Sequence, residues 1–237
     1  MLEELDLEEL RKDYQERLKE GWDNEPRKEE IMDMALENTQ GGLWILGGYL
    51  TRKLIKSLYD RTTQRSDGIV DVDFISEELV SHKEIYILNN WKIKLNRYED
   101  IYFASDDGEY KIEFNSLRNF RPLVSKRLPT PRIEDVVSIA PLNVQAIAWD
   151  LIRNRLIGNE GIKAIKNQKV EVNNRESLER VVIDLNRFLS DDNMKELVCQ
   201  KAENLGFSYS FDSDKRNNSE NGGGSDSMNS ALLMYSH

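Results

Sequence analysis

The chemistry-bearing residues are three acids. Asp71 and Asp73 stand two apart in Ile69-Val70-Asp71-Val72-Asp73-Phe74-Ile75, where apolar residues alternate with aspartate. That period of two predicts a strand over 69–75. Both carboxylates then leave one face, with Cα atoms about 6–7 Å apart, while Val70, Val72 and Phe74 make the other face apolar. Glu113 lies in Lys111-Ile112-Glu113-Phe114, on a further predicted strand over 109–114 that can bring it to the pair. Like charges set side by side on a sheet repel unless a cation sits between them. Hard divalent ions take carboxylate oxygens and retained waters. Phosphoryl and nucleotidyl transfer use such ions, because two of them about 3.5–4 Å apart neutralise the attacking oxygen, the leaving oxygen and the phosphate between. The expected cofactor is Mg2+, as two ions, with Mn2+ as a substitute. On an edge strand the same Asp-x-Asp is an ordinary solvated face.

A diglycine, Gly47-Gly48, follows the apolar run Leu43-Trp44-Ile45-Leu46 and opens a segment of helical spacing over 49–59. Glycine lets backbone approach a triphosphate closely, and a helix N-terminus presents positive potential to it. The same pair is otherwise a plain turn. Arg52, Lys53 and Lys56 present positive charge near such a triphosphate, or form the solvated face of an amphipathic helix. Arg118 either contacts phosphate or pairs with an acid.

The remaining elements frame these residues. Helical spacing with a narrow apolar stripe covers 2–20, through Leu7, Leu10, Tyr14 and Leu18. A second helix begins near Asn24 and Pro26 and runs to about Thr39, with Gly41-Gly42 as its stop. These two helices are a packing cap or a surface for a protein partner. Further strands are predicted at 84–88, 91–95 and 101–104, with a turn at Asp106-Asp107-Gly108. Pro122, Pro129 and Pro131 mark an extended connection, and Val144 to Ile152 is apolar. A short strand at Val170-Glu171-Val172 and helices over 175–189 and 191–205 follow, the last capped by Asp191-Asp192. Beyond Asp212 the chain is rich in Ser, Asn, Asp and Gly and is expected to be disordered.

Composition narrows the classes. The 237 residues hold one cysteine, Cys199, so an internal disulfide is excluded. His82 and His237 are the two histidines, which argues against Cys/His zinc sites and His-based triads. A net charge of −10 argues against generic nucleic-acid binding while leaving room for a local basic groove. The acidic N-terminus is unlike a signal peptide, and no uncharged apolar run reaches the roughly 18 residues of a membrane helix, so a cytoplasmic protein with no membrane contact is expected.

The sequence resembles the head domain of poly(A) polymerases and CCA-adding enzymes, in the polymerase-beta-like nucleotidyltransferase superfamily. Leu46-Gly47-Gly48-Tyr49-Leu50 is similar to the family's glycine turn and helix, Asp71-Val72-Asp73-Phe74 to its metal-binding Asp-x-Asp, and Ile112-Glu113-Phe114 with Leu117-Arg118 to the strand carrying the third acid and a trailing arginine. Leu142 to Asp150 looks like the segment that closes the head. The resemblance covers roughly residues 43–165. Departures are a longer spacing from Gly48 to Asp71, Ile139-Ala140-Pro141 where the family has Arg-Arg-Asp, and Gln145 where it has asparagine.

The resemblance implies an α/β (α+β) fold: a nucleotidyltransferase-like mixed sheet flanked by helices, with N-terminal helices and a small C-terminal helical appendage. The implied organisation is an N-terminal helical region at 1–40, a head at 41–165, a C-terminal helical segment at 166–210 and a tail at 211–237. The implied activity moves a nucleoside monophosphate from an NTP, ATP included, to a hydroxyl of RNA, a protein or a small molecule. Asp71, Asp73 and Glu113 hold the metals; Gly47, Gly48, Arg52 and Arg118 hold the nucleotide. The alternative is a catalytically decayed head that serves as a non-enzymatic protein-binding module, with a partner on the N-terminal helices.

Overall fold

A computed structural model of the chain describes residues 2–61, 63, 68–80, 84–96, 101–124 and 128–212. His82 and the tail beyond Asp212 lie outside the described residues.

Helices α1 (Leu2–Asp23) and α2 (Lys28–Asn38) match the two expected at the N-terminus. Their apolar stripes face inward: Tyr14, Leu18 and Trp22 from α1, and Ile31, Met34 and Ala35 from α2, share one core with the sheet. The second helix ends before Gly41-Gly42, which the sequence reading takes as its stop. Thr39 is already extended (φ −130°, ψ 160°). The side chains of Asn38 and Thr39 donate to the carbonyls of Met34 and Ala35, which satisfies two orphan groups of the last turn. The glycines fall instead inside β1 (Thr39–Leu46), at a shift of register between Gln40 and Leu43. Gly41 has φ of 80°, and a Cβ there would collide with the Glu77 side chain. The pair therefore serves a bulge.

Beyond β1 come α3 (Gly47–Tyr59), β2 (Val70–Leu79), β3 (Trp91–Leu95), β4 (Ile101–Ser105) and β5 (Tyr110–Ser116). The expected strand at 84–88 does not form. The Asn38 side chain takes up the backbone of Tyr86 there, donating to its carbonyl and accepting from its N–H, so no ladder is needed. The turn before β5 has Gly108 at φ 75°, with the Asp107 carboxylate accepting from the Ser105 hydroxyl and the Glu109 N–H. The proline-marked connection contains two short helices, α4 (Arg121–Val124) and α5 (Ile133–Ser138). A 3-10 turn at Asn143–Gln145 leads into β6 (Ala148–Asp150). β7 (Arg155–Ile157) and α6 (Asn159–Asn167) were not expected. β8 (Lys169–Val170), α7 (Arg175–Asp184), α8 (Asp191–Leu205) and β9 (Ser208–Tyr209) complete the order. α7 stops short of residue 189. The N-cap of α8 is Ser190, whose hydroxyl accepts from the Asn193 N–H, while Asp191 and Asp192 occupy the first turn.

Among the described residues the main sheet has seven strands in the order β3-β4-β5-β2-β1-β6-β7. β2 and β5 run parallel and the other pairs antiparallel, which makes the sheet mixed. It is an α/β fold with helices against the sheet, as the sequence implies. One face carries Val72, Phe74, Ile45 and Ile112 into the core shared with α1, α2 and α3. Phe74 stacks on the partly buried Phe114 with centroids 5.3 Å apart, and burying a ring such as Phe74 contributes about 2–3 kcal/mol. The other face is apolar at one end, where Trp44, Ile75 and Ala148 meet α4 and α5, and charged at the other. α7 and α8 pack a smaller core against Ile55, Leu142, Val144 and Ala164. No helix of the described residues is long and apolar enough to cross a membrane.

Candidate active site

The parallel pairing of β2 with β5 decides what stands beside what. Asp73 is the register partner of Glu113, and Asp71 is the partner of Lys111. Partners in a parallel ladder share a face, and i, i+2 residues share it too. Asp71, Asp73, Lys111 and Glu113 thus form a charged square on the sheet face opposite the helical core. Tyr102, on β4, pairs with Glu113 and closes one side.

Lysine 111 fills the middle. Its Nζ lies 2.5 Å from Glu113 Oε1 and 3.6 Å from Asp71 Oδ1, and 5.1 Å from the centroid of the Tyr102 ring. Burial alone would lower the Lys111 pKa, but its hydrogen bond to Glu113 and the charges of Asp71, Glu113 and Asp73 hold it above the ordinary lysine value. Asp73 is pushed up to about 7, first by burial and then by the negative charges of Asp71 and Glu113; Lys111 and Arg52 oppose the shift. The field at Asp73 is that of a carboxylate short of positive charge.

Helix α3 adds a positive end. Ile45 of β1 stands opposite Phe74, and the strand gives way to the helix after Leu46, so the first turn of α3 begins level with Asp73. The two glycines there differ. A Cβ on Gly47 would lie 2.8 Å from the Gln145 carbonyl oxygen and 3.0 Å from its Cα, so Gly47 is required by backbone packing. Among the described residues a Cβ on Gly48 would meet only Arg52 Nη1, at 3.5 Å. Gly48 is therefore open on the side where Arg52 reaches across to donate to the Asp71 carbonyl at 3.2 Å. The Thr51 hydroxyl, between the carbonyls of Gly47 and Val144, fixes the same turn to the 3-10 segment.

Of the seven residues singled out in the sequence, Asp71, Asp73 and Glu113 share one face, with Gly48 and Arg52 at its margin. Gly47 supports the turn from beneath. Arg118 is not brought in: its exposed guanidinium pairs with Glu78 at 2.8 Å, five residues beyond Asp73 on β2. Lys111 was missed. Its signal was present, since Lys111-x-Glu113 repeats the spacing of Asp71-x-Asp73, but its meaning depends on the register. Gln145, at the position of the family's asparagine, keeps its Oε1 buried without a hydrogen-bond partner.

Among the described residues no three His, Cys, Asp or Glu side chains are gathered closely enough to hold a metal ion. The donor types are those that a hard divalent cation takes. The set consists of three carboxylates on one face, one with a pKa raised first by burial and then by the other two, and a flexible lysine stem among them. Two clefts of about 700 and 440 Å³ lie elsewhere, the first bordered by Arg11, Glu134 and Gly158, the second by Leu95, Phe103 and Asn119.

Solved structures of CCA-adding enzymes are similar to this chain. A Bacillus stearothermophilus CCA-adding enzyme in complex with CTP matches at 15% identity and a TM-score of 0.46, over 78% of this chain and 41% of that one. A CCA-adding enzyme with CTP matches at 12% identity and 0.42, over 74% and 44%. A tRNA nucleotidyltransferase with a primer tRNA and an incoming ATP analog matches at 17% and 0.37, over 70% and 47%. This chain thus spans less than half the length of each. No family model matches the sequence, and no curated protein matches it.

Proposed function

We propose that the chain is a nucleotidyltransferase head that moves a nucleoside monophosphate from an NTP to a hydroxyl acceptor. The observation that carries this reading is the register of β2 against β5, which sets Asp71, Asp73 and Glu113 on one face beside the open N-terminus of α3. Asp71 and Asp73 would hold two Mg2+ ions, or Mn2+, and Glu113 would complete the site for one of them. Bound there, the ions neutralise charge on the phosphate and lower the pKa of the attacking hydroxyl. Gly48 and the N–H groups of the first turn of α3 receive the triphosphate, and Arg52 adds a fixed positive charge. The hydroxyl gives its proton to water, its oxygen forms a bond to the α-phosphorus, the bond from that phosphorus to the bridging oxygen breaks, and pyrophosphate leaves. The acceptor is a hydroxyl of RNA, a protein or a small molecule.

Thermal melting with Mg2+, with NTP and with both tests the site without an acceptor; the combination is expected to raise the melting temperature most. With radiolabelled NTP and Mg2+, transfer to RNA or to protein is expected to fall by more than about 100-fold in Asp71→Asn and in Asp73→Asn. Both variants are expected to stay folded without metal, since each relieves like-charge repulsion. Unfolding of both variants, or no shift and no transfer in wild type, sinks the reading.

A second reading has its own observation. The Lys111 amine already pairs with Glu113 and faces Asp71, which suits a decayed head acting as a protein-binding module through the acidic outer sides of α1 and α2. It predicts partner binding that needs neither NTP nor metal.

A further inference from the structure

Lysine 111 has no place in the chemistry above, and it stands where that chemistry needs a cation. Its amine touches Glu113 Oε1 at 2.5 Å and faces Asp71 Oδ1 at 3.6 Å. The strand register puts its Cα beside that of Asp71 and two residues before Glu113, so the backbone alone delivers it to the acids. Among the described residues Arg52 also bears on Asp73, and it donates to the Asp71 carbonyl. The two also differ in kind. An arginine fork is rigid, whereas a lysine ammonium rides on four methylenes and can withdraw without moving the strand.

Three carboxylates on one face destabilise the folded chain unless positive charge accompanies them. We propose that Lys111 is a displaceable counter-cation: in the metal-free protein it neutralises Asp71 and Glu113, and it must leave them for a divalent ion to bind. This rests on reading Asp71, Asp73 and Glu113 as the cation-holding residues. Its consequence is regulatory. Lys111 lowers the affinity of the site for a bare ion and favours an ion that arrives with a triphosphate, whose own negative charge gives the displaced amine somewhere to go.

The test uses the full chain and Mn2+ as the probe. Free Mn2+ is followed by electron paramagnetic resonance during titration of wild type, Lys111→Met, and Lys111→Met combined with Asp73→Asn. Methionine keeps the length and apolar stem without the charge. Removing one charge within 4 Å of the ligands is expected to tighten Mn2+ binding by about tenfold or more, and the added Asp73→Asn change to abolish the gain. Equal or weaker binding in Lys111→Met overturns the role of Lys111 and leaves the carboxylate site standing. Tighter binding that persists with Asp73→Asn places the ion elsewhere and overturns both. Failure of Mn2+ to bind wild type and Lys111→Met alike also overturns both.

A second measurement needs no variant. Wild type is acetylated with and without Mn2+, and the modification of each lysine is read by peptide mass spectrometry. Labelling of Lys111 is expected to rise several-fold with Mn2+ while Lys163, on the outside of α6, stays constant. Unchanged labelling of Lys111 in the presence of bound Mn2+ overturns the proposal.

Discussion

At the scale of single residues, the two glycines at the start of α3 separate scaffold from site. Gly47 is closed by backbone: the Gln145 carbonyl stands 2.8 Å from where its Cβ would be, and neither partner can yield without shifting the helix or the 3-10 turn. Gly47→Ala is expected to lose about 1–3 kcal/mol, the usual cost of overpacking. Gly48 is open, with an ordinary 3.5 Å contact to Arg52. Gly48→Ala is expected to leave stability unchanged or raise it by up to about 1 kcal/mol, because alanine is the better helix former. A triphosphate approaching that backbone would meet the new methyl, so the melting shift with Mg2+ and NTP should shrink. Denaturant titrations of both variants, with melting in the two ligands, check the pair. If Gly48→Ala destabilises as much as Gly47→Ala, the opening at Gly48 has been misjudged.

Individual elements show why some of the architecture was legible in the sequence and some was not. β2 was legible because Val70, Val72 and Phe74 alternate with Asp71 and Asp73, and a strand with one wet and one dry face writes that alternation directly. β7 and α6 were not. Arg155–Ile157 is too short to show a period, and α6 is set by tertiary fit: Gly158 at φ 106° and Gly161 lie tight against the Ala146 carbonyl. At 84–88 the apolar run Ile85-Tyr86-Ile87-Leu88 was present, but Asn38 replaced the ladder. The acids of the site were legible, and Lys111 was not, because no local pattern states that β2 and β5, some forty residues apart, run parallel with Asp71 beside Lys111. The cap of α8 was displaced by one residue. Ser190, in extended conformation, accepts from the Asn193 N–H, whereas Asp192 lies in the first turn. Ser190→Ala should therefore lose about 1 kcal/mol, and Asp192→Asn only about 0.3–0.5 kcal/mol of interaction with the helix dipole. Equal losses in urea titrations of the two variants would contradict the assignment.

The whole molecule is joined at both ends of the described chain. β9 pairs with β8, and Phe207 is buried in the core formed by α7 and α8, so a chain ending at Gly206 is expected to lose about 3 kcal/mol or more, whereas one ending at Asp212 should melt like the full protein. At the other end one tie is a buried carboxylate. Glu25 lies between α1 and α2 with its side chain 3% exposed. It accepts from the Tyr49 hydroxyl of α3 at 2.7 Å and from the Tyr110 hydroxyl of β5 at 2.5 Å, and pairs with Lys53 Nζ at 2.5 Å. Burial alone would raise its pKa; the hydrogen bonds from Lys53, Tyr110 and Tyr49 together outweigh it and hold the group below its ordinary value of 4.5. An acid whose pKa is lower folded than unfolded binds its proton more weakly in the native state. Its contribution to stability is therefore complete above about pH 4.5 and is lost as pH falls through the folded-state value. Glu25→Gln removes the charge and strands Lys53 beside two hydroxyls, at an expected cost of about 2–4 kcal/mol at pH 7. Unfolding free energies of wild type and variant, measured by urea from pH 7 down to pH 3, should differ most at the neutral end and converge toward the acid end. A gap that stays constant across that range would mean that the charge of Glu25 does not hold the N-terminal helices to α3 and β5.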